Sequence, residues 1–269
     1  MPHYLKIIGV FLSLSFAPIN SWSQQIEGRA YYFAKSKMEL GNWGARMSEA
    51  EKKQVQARLK NRLEKTYILS FNKNESLFIE EEKLDARSGA TDSWGSNFSR
   101  GHQYKNIQDS ALVQAQEFYG KKFLVKDKMQ KFNWVLGSES KQIGNYLCFK
   151  AISTVPTSEL AWFDFSWGDL QAQNTEDQGN IPMTAVEAWY TLQIPLSHGP
   201  AEYWGLPGFI LEVSAGNTTI LCSEIILNPK DKVNVEAPDK GEITQIIPYR
   251  NTVQTKMMEM RNSFSGRRN

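Results

Sequence analysis

Apolar and polar residues alternate in short runs along most of this chain, and a helical period shows in two places. Residues 26–33 gather aromatic and apolar side chains around Gly28 and predict an opening strand. The period then lengthens. Val55, Leu59, Leu63 and Thr66 recur at spacings of four and three behind Ser48-Glu49-Ala50-Glu51, which has the form of a capping box, so residues 49–65 read as an amphipathic helix. Glu51, Lys52, Lys53, Arg58, Lys60 and Arg62 occupy its other side, the pattern of a helix packed on a sheet with a solvated outer face.

Strand-like runs follow at 67–71 and 76–80, with Asn72-Lys73-Asn74 between them as a hairpin signal. More come at 111–119, 122–126, 132–136, 143–154 and 160–165, separated by Gly120-Lys121, Asp127-Lys128, Gly137-Ser138 and Pro156-Thr157. Connections this short cannot make parallel crossovers, so the strands form an antiparallel meander. Further strands are expected at 186–196, 209–213, 218–227 and 242–247, and polar loops at 84–101 (with Trp94 and Phe98) and 166–183. Val253, Met257, Met260 and Phe264 share one face of a closing helix over 252–264, a stripe that packs on a core. The fold class is α+β and β-rich: a curved antiparallel sheet, a meander able to bend into a half-barrel, with one helix near the N-terminus and one at the C-terminus.

A length of 269 residues with 41% apolar content suits one domain with a real core. Charge then narrows the function. With 31 Lys plus Arg against 29 Asp plus Glu, the chain lacks the polybasic field that gives nucleic-acid binding its affinity. Lys6, an apolar run over 7–16 and small residues at Ser21 and Ser23 fit a secretory signal peptide over 1–23, cleaved after Ser23, with a single domain over 24–269. That run is about half the length of a membrane span, and no later segment approaches one, so the expectation is a mature chain without a transmembrane span, in the periplasm or outer-membrane associated. Cys148 and Cys222 each lie in a strand-like run. In an oxidising compartment they are disulfide candidates, and a loop of about 75 residues closed between them would contribute about 4 kcal/mol; the alternative is two buried thiols.

The segment from Ala188-Trp189-Tyr190-Thr191 through Gly199-Pro200 to Gly205-Leu206-Pro207-Gly208-Phe209-Ile210 resembles the GLPGLI family of exported Bacteroidota proteins, with Phe209 in place of the family's second Leu. Trp134, the stretch Glu139 to Ile143 and the run from Tyr146 to Ala151 follow that family's usual order, so the resemblance covers most of the mature chain. It is specific as a family marker and nearly silent on activity, because the family is chiefly of unknown function. Read physically, Pro207 fixes φ while Gly205 and Gly208 allow positive φ or close backbone approach, which makes a tight structural corner. Trp189, Tyr190, Tyr203 and Trp204 could cluster around it. They either line a ligand groove or fill the corner.

No nucleophile elbow, zinc-protease, P-loop or dinucleotide fingerprint occurs. Beyond residue 23 only His102 and His198 remain, too few and too scattered for a metal site, and no cofactor is expected. A Cys–His pair built on His198 is formally available unless a disulfide consumes the thiols. Asp164, Asp169, Glu187 and Glu212 could supply a carboxylate pair, though Glu212, between Leu211 and Val213, reads as the solvated face of a strand. Binding therefore ranks above catalysis. The first expectation is a non-enzymatic protein that binds or carries an apolar, lipid-like ligand. The alternative, which the resemblance implies, is an accessory partner of an outer-membrane transport or secretion complex of the TonB-dependent receptor type. A hydrolase ranks third.

Overall fold

The computed structural model describes residues 26–37, 46–81, 100–160, 162 and 181–265; the leader, most of both polar loops, Asp164, Asp169 and the side chain of Phe264 lie outside them. Twelve described strands, β1 (Gly28–Ser36), β2 (Glu64–Phe71), β3 (Glu75–Glu80), β4 (Gln103–Asn106), β5 (Ala111–Phe118), β6 (Lys121–Lys128), β7 (Val135–Ile143), β8 (Tyr146–Pro156), β9 (Met183–Thr191), β10 (Phe209–Ala215), β11 (Thr218–Leu227) and β12 (Glu242–Thr244), make one open sheet. Its order is β12-β6-β5-β4-β3-β2-β1-β11-β10-β9-β8-β7. Two antiparallel meanders, β1 to β6 and β7 to β11, meet where β1 pairs with β11, from Gly28 opposite Leu227 to Ser36 opposite Thr218. Only the short β12 runs parallel to its neighbour β6. The expected β-rich antiparallel architecture is present, as an open sheet that does not close into a barrel.

Four described helices complete the fold: α1 (Glu49–Arg58), α2 (Lys60–Leu63), α3 (Thr157–Leu160) and α4 (Ile246–Ser265). The capping box forms as read. Ser48 N donates to Glu51 Oε2 at 2.7 Å and Glu51 N to Ser48 Oγ at 3.3 Å, closing two otherwise unpaired donors. The helix is shorter than its period suggests, because the chain turns to strand at Glu64 to pair with Lys35 of β1. Val55, Leu59 and Leu63 stay only half-buried.

Other boundaries move for physical reasons. Gly137-Ser138 is no turn but lies inside β7, at a register shift between Leu136 and Ser140. Thr157–Leu160 is a short helix, so Leu160 ends a helix where the strand over 160–165 was expected to begin. The strand expected over 242–247 stops at Thr244, and α4 starts at Ile246, whose N–H is received by Asp127 Oδ2 at 3.1 Å. Strand β4 was not foreseen at all. Its inward residues are Gln103 and Lys105, so it lacks the apolar alternation that betrays a strand.

That polarity organises the covered face of the sheet. The pairing registers align Phe71, Ser76, Lys105 and Leu112 in one cross-strand row, and Leu69, Phe78, Gln103, Gln114 and Val125 in the next. Each row is apolar at its ends and polar in the middle. One apolar cluster, around Tyr32, Leu69, Phe71, Phe209 and Ile210, lies on one side of this seam. A second, where Tyr249, Val253 and Met257 of α4 meet Phe118, Phe123 and Val125, lies on the other. The methionine stripe thus packs on a core, as its spacing implied.

The cysteine pairing is a correction. Cys148 on β8 and Cys222 on β11 are buried free thiols, and β9 and β10 stand between their strands. A disulfide needs Cα atoms about 4.4–6.8 Å apart, less than the roughly 14 Å spanned by three strand spacings.

Candidate functional site

Residues 192–208 connect β9 to β10 by a path that folds inward over the sheet. Ile194, Leu196, His198, Ala201, Tyr203 and Leu206 are all buried. Backbone bonds satisfy much of the segment: Phe209 N to Ile194 O, Ile210 N to His198 O, Gly205 N to Ser197 O and Tyr203 N to Pro200 O, at 3.0–3.1 Å. Gly205 adopts φ +90°, and a Cβ on Gly208 would stand 2.1 Å from Thr191 O. One glycine of the motif therefore supplies a left-handed turn and the other permits contact with backbone. Leu206, Phe209 and Ile210 point into the core.

Beneath the segment stands Lys105. Its side chain is buried, and its Nζ donates to Gly199 O at 2.8 Å, Ala201 O at 2.5 Å and Tyr203 O at 3.2 Å. An ammonium has one N–H for each of these carbonyls. Burial pushes the amine down to about 7; the Glu202 carboxylate opposes that and the Arg100 guanidinium adds to it. Arg100 and Glu202 form a part-buried ion pair at 2.5 Å. His198 Nε2 lies 2.9 Å from Asn72 O, which can only accept, so the ring is the Nε2–H tautomer and its Nδ1 has no partner. Burial, aided by the charge of Lys105, lowers its pKa to about 4.

Four more buried polar atoms of the seam also lack partners: Ser76 Oγ, Gln103 Oε1, Gln114 Nε2 and Gln116 Nε2. A cavity of about 30 Å³ lies at Gln103, with Lys105, Glu202 and Trp162 also in its wall. A space of that size holds about one water. No group of three or more His, Cys, Asp or Glu able to hold a metal occurs among the described residues.

Of the four aromatics expected to surround the corner, Trp189, Tyr190 and Tyr203 are buried and Trp204 is half-buried, and they divide between surroundings. Tyr203 meets Phe132 at 5.5 Å, and Phe132 stacks on Trp134 at 5.1 Å. Trp204 packs against the second cluster and donates Nε1 to Gln130 O at 2.6 Å. Tyr190 lies 6.3 Å from Phe149. Trp189 sits in a charged lattice instead. Lys141 Nζ lies 4.3 Å and Lys150 Nζ 5.8 Å from its ring centre, and its Nε1 donates to Glu187 Oε1 at 2.9 Å. Lys141 also pairs with Glu212 at 2.7 Å, and Lys150 with Glu187 at 3.0 Å and Glu139 at 3.3 Å. Glu212 is accordingly not the solvated residue that its alternation suggested; its side chain is 18% exposed and ion-paired. Composition alone could not find this lattice, because its members come from four strands.

Among the described residues, the outermost strand of this half, β7, pairs only with β8. Val135, 70% exposed, stands opposite exposed Ile152, and Leu136 and Leu147 are exposed nearby. A depression of about 510 Å³ opens at Leu147, lined also by Gln142, Asn145, Phe149, Leu192 and Gln193. The opposite edge is the three-residue β12, leading directly into α4. No described helix is long and apolar enough to cross a membrane.

Comparison with known proteins adds little about chemistry. No curated protein matches the chain. Structures of PNGF-II in two space groups align with 85% of this chain, at 12% and 13% identity, with TM-scores of 0.47 and 0.49. The chain spans about a third of those proteins, 32% and 33% of their lengths. Residues 134–212, from Trp134 to Glu212, match the model of a family described as a protein of unknown function, Porph_ging. The corner, its tryptophans and the whole Lys141–Trp189–Glu212 lattice fall within that segment.

Proposed function

We propose that this chain is an exported, non-enzymatic docking protein of the GLPGLI type, an accessory partner of an outer-membrane transport or secretion complex. One observation carries this reading: the covered face of the sheet is packed by residues 192–208 and α4, whereas the β7 end leaves Val135, Leu136, Leu147 and Ile152 exposed beside a strand edge that no other described strand pairs. Apolar side chains next to free backbone donors and acceptors are the features by which a partner segment adds to a sheet. The leader-like pattern of residues 1–23 supports export to the envelope. The charged lattice beneath stiffens the docking surface, since Lys141, Lys150 and Trp189 tie β7 to β10 together.

The test is site-specific photocrosslinking in native envelopes, with the crosslinker at Val135 or Ile152 and a control at Ile247, exposed on α4 at the far end of the sheet. One envelope protein captured from 135 and 152 but not from 247 supports docking. The carrier reading rests on the depression at Leu147, Phe149 and Leu192. A lipid retained in native mass spectrometry, with no crosslinked partner, would replace docking by carriage.

A further inference from the structure

We propose that residues 199–203 form a receptor for a primary ammonium group, occupied in this chain by the side chain of Lys105. Three carbonyls of five consecutive residues, Gly199, Ala201 and Tyr203, converge on one Nζ at 2.5–3.2 Å. Alternate carbonyls of an extended strand point the same way but stand about 7 Å apart, so three that meet on one atom require a bent backbone. Here Ala201 is held at φ +50°, an unusual conformation for a residue with a Cβ. The bend is thus explained by what it surrounds. A guanidinium, flat and forked, cannot place three donors on this triangle, whereas a compact ammonium can. The Glu202 carboxylate favours a cation here, the Arg100 guanidinium paired with it opposes one, and His198, kept neutral by burial, adds no further charge. Ser76 and Leu112, opposite Lys105 on the flanking strands, contribute no charge.

The cation comes from outside the unit it organises. Lys105 lies on β4, before the family-matched residues 134–212, while its three acceptors lie within them just ahead of Gly205. The corner is therefore completed in trans across the sheet, by a group that a free amine of the same length should replace.

Lys105→Ala removes the three methylenes and the nitrogen that n-propylammonium restores. The expected result is at least a tenfold rise in hydrogen exchange at the Tyr203 and Gly205 amides. Millimolar n-propylammonium should reverse it; 1-propanol, or tetramethylammonium at equal ionic strength, should not. Equal rescue by either control, or a folded variant that n-propylammonium leaves unprotected, overturns the proposal. Should the variant not fold, nitrogen-15 NMR of the wild-type lysine decides. A slowly exchanging ammonium resonance at pH 6, scalar-coupled to backbone carbonyls, supports the receptor, and an amine in fast exchange with water refutes it.

Discussion

The indole N–H of Trp134 donates to the carbonyl of Trp204 at 2.8 Å, joining the start of the second meander to the residue before Gly205. Trp204 returns the tie by donating its own indole N–H to Gln130. Trp134→Phe keeps the stacking on Phe132 but leaves the Trp204 carbonyl unpaired in a half-buried site. Loss of about 1–3 kcal/mol is expected. Urea denaturation measures it, and an unchanged midpoint at constant slope would show that the bond contributes nothing.

Two glycines should respond unequally to alanine. At Gly208 the new Cβ meets Thr191 O at 2.1 Å and Thr191 C at 2.7 Å, both backbone, so the start of the β9–β10 ladder has to open. Destabilisation above about 3 kcal/mol, or failure to fold, is expected. At Gly120 φ is +78° but nothing lies within 4 Å, leaving only the left-handed penalty of about 1–2 kcal/mol. Thermal melts of the two variants give the ranking directly, and a Gly208→Ala melt equal to that of Gly120→Ala would contradict the close approach.

His198 makes stability depend on acid. Its folded pKa is lowered to about 4 by burial first and the Lys105 charge second, against an unfolded value near 6.5. The unfolded chain therefore binds the extra proton between these values. The contribution is complete above pH 6.5 and is lost as pH falls toward 4, by about 3 kcal/mol in total. Carboxylates titrate in the same window, so the measurement is the difference between wild type and His198→Gln across it. Parallel curves would remove His198 as the cause.

Neither thiol should react in the folded protein. Burial pushes Cys148 up to about 11 and Cys222 up to about 12, so the thiolate is scarce at pH 8. A thiol reagent should count no groups before unfolding and both in urea, with no disulfide by mass. Rapid native labelling of either would show an opening of its strand.

Much of the sheet was legible because its strands obey simple alternation; β5 and β11 lie nearly where the pattern put them. The capping box of α1 is a local device and could be read locally. What escaped is what long-range pairing decides. Strand β4 buries Gln103, whose amide reaches Gln114 on the next strand, and Lys105, whose partners are found nearly a hundred residues on, so no apolar alternation marks it as interior. The glycine corner was readable as a corner from its turn chemistry, but the lysine that fills it was not. Likewise Glu212 looks solvated until Lys141, 71 residues earlier in the chain, is laid across it.

The union of β1 with β11 carries a consequence for how the molecule is made. Gly28 finds Leu227 only once both meanders have been made, and among the described strands that pairing alone joins them into one sheet. Each half can assemble from near neighbours, yet each then presents an unfinished strand to its surroundings until the last ladder closes. Such a topology folds slowly, because the entropy of a loop of roughly two hundred residues must be surrendered before any ladder contact rewards it. A chain still folding would spend that interval with β1 and β11 both open, and its exposure to wrong strand partners would be greatest just before that ladder forms.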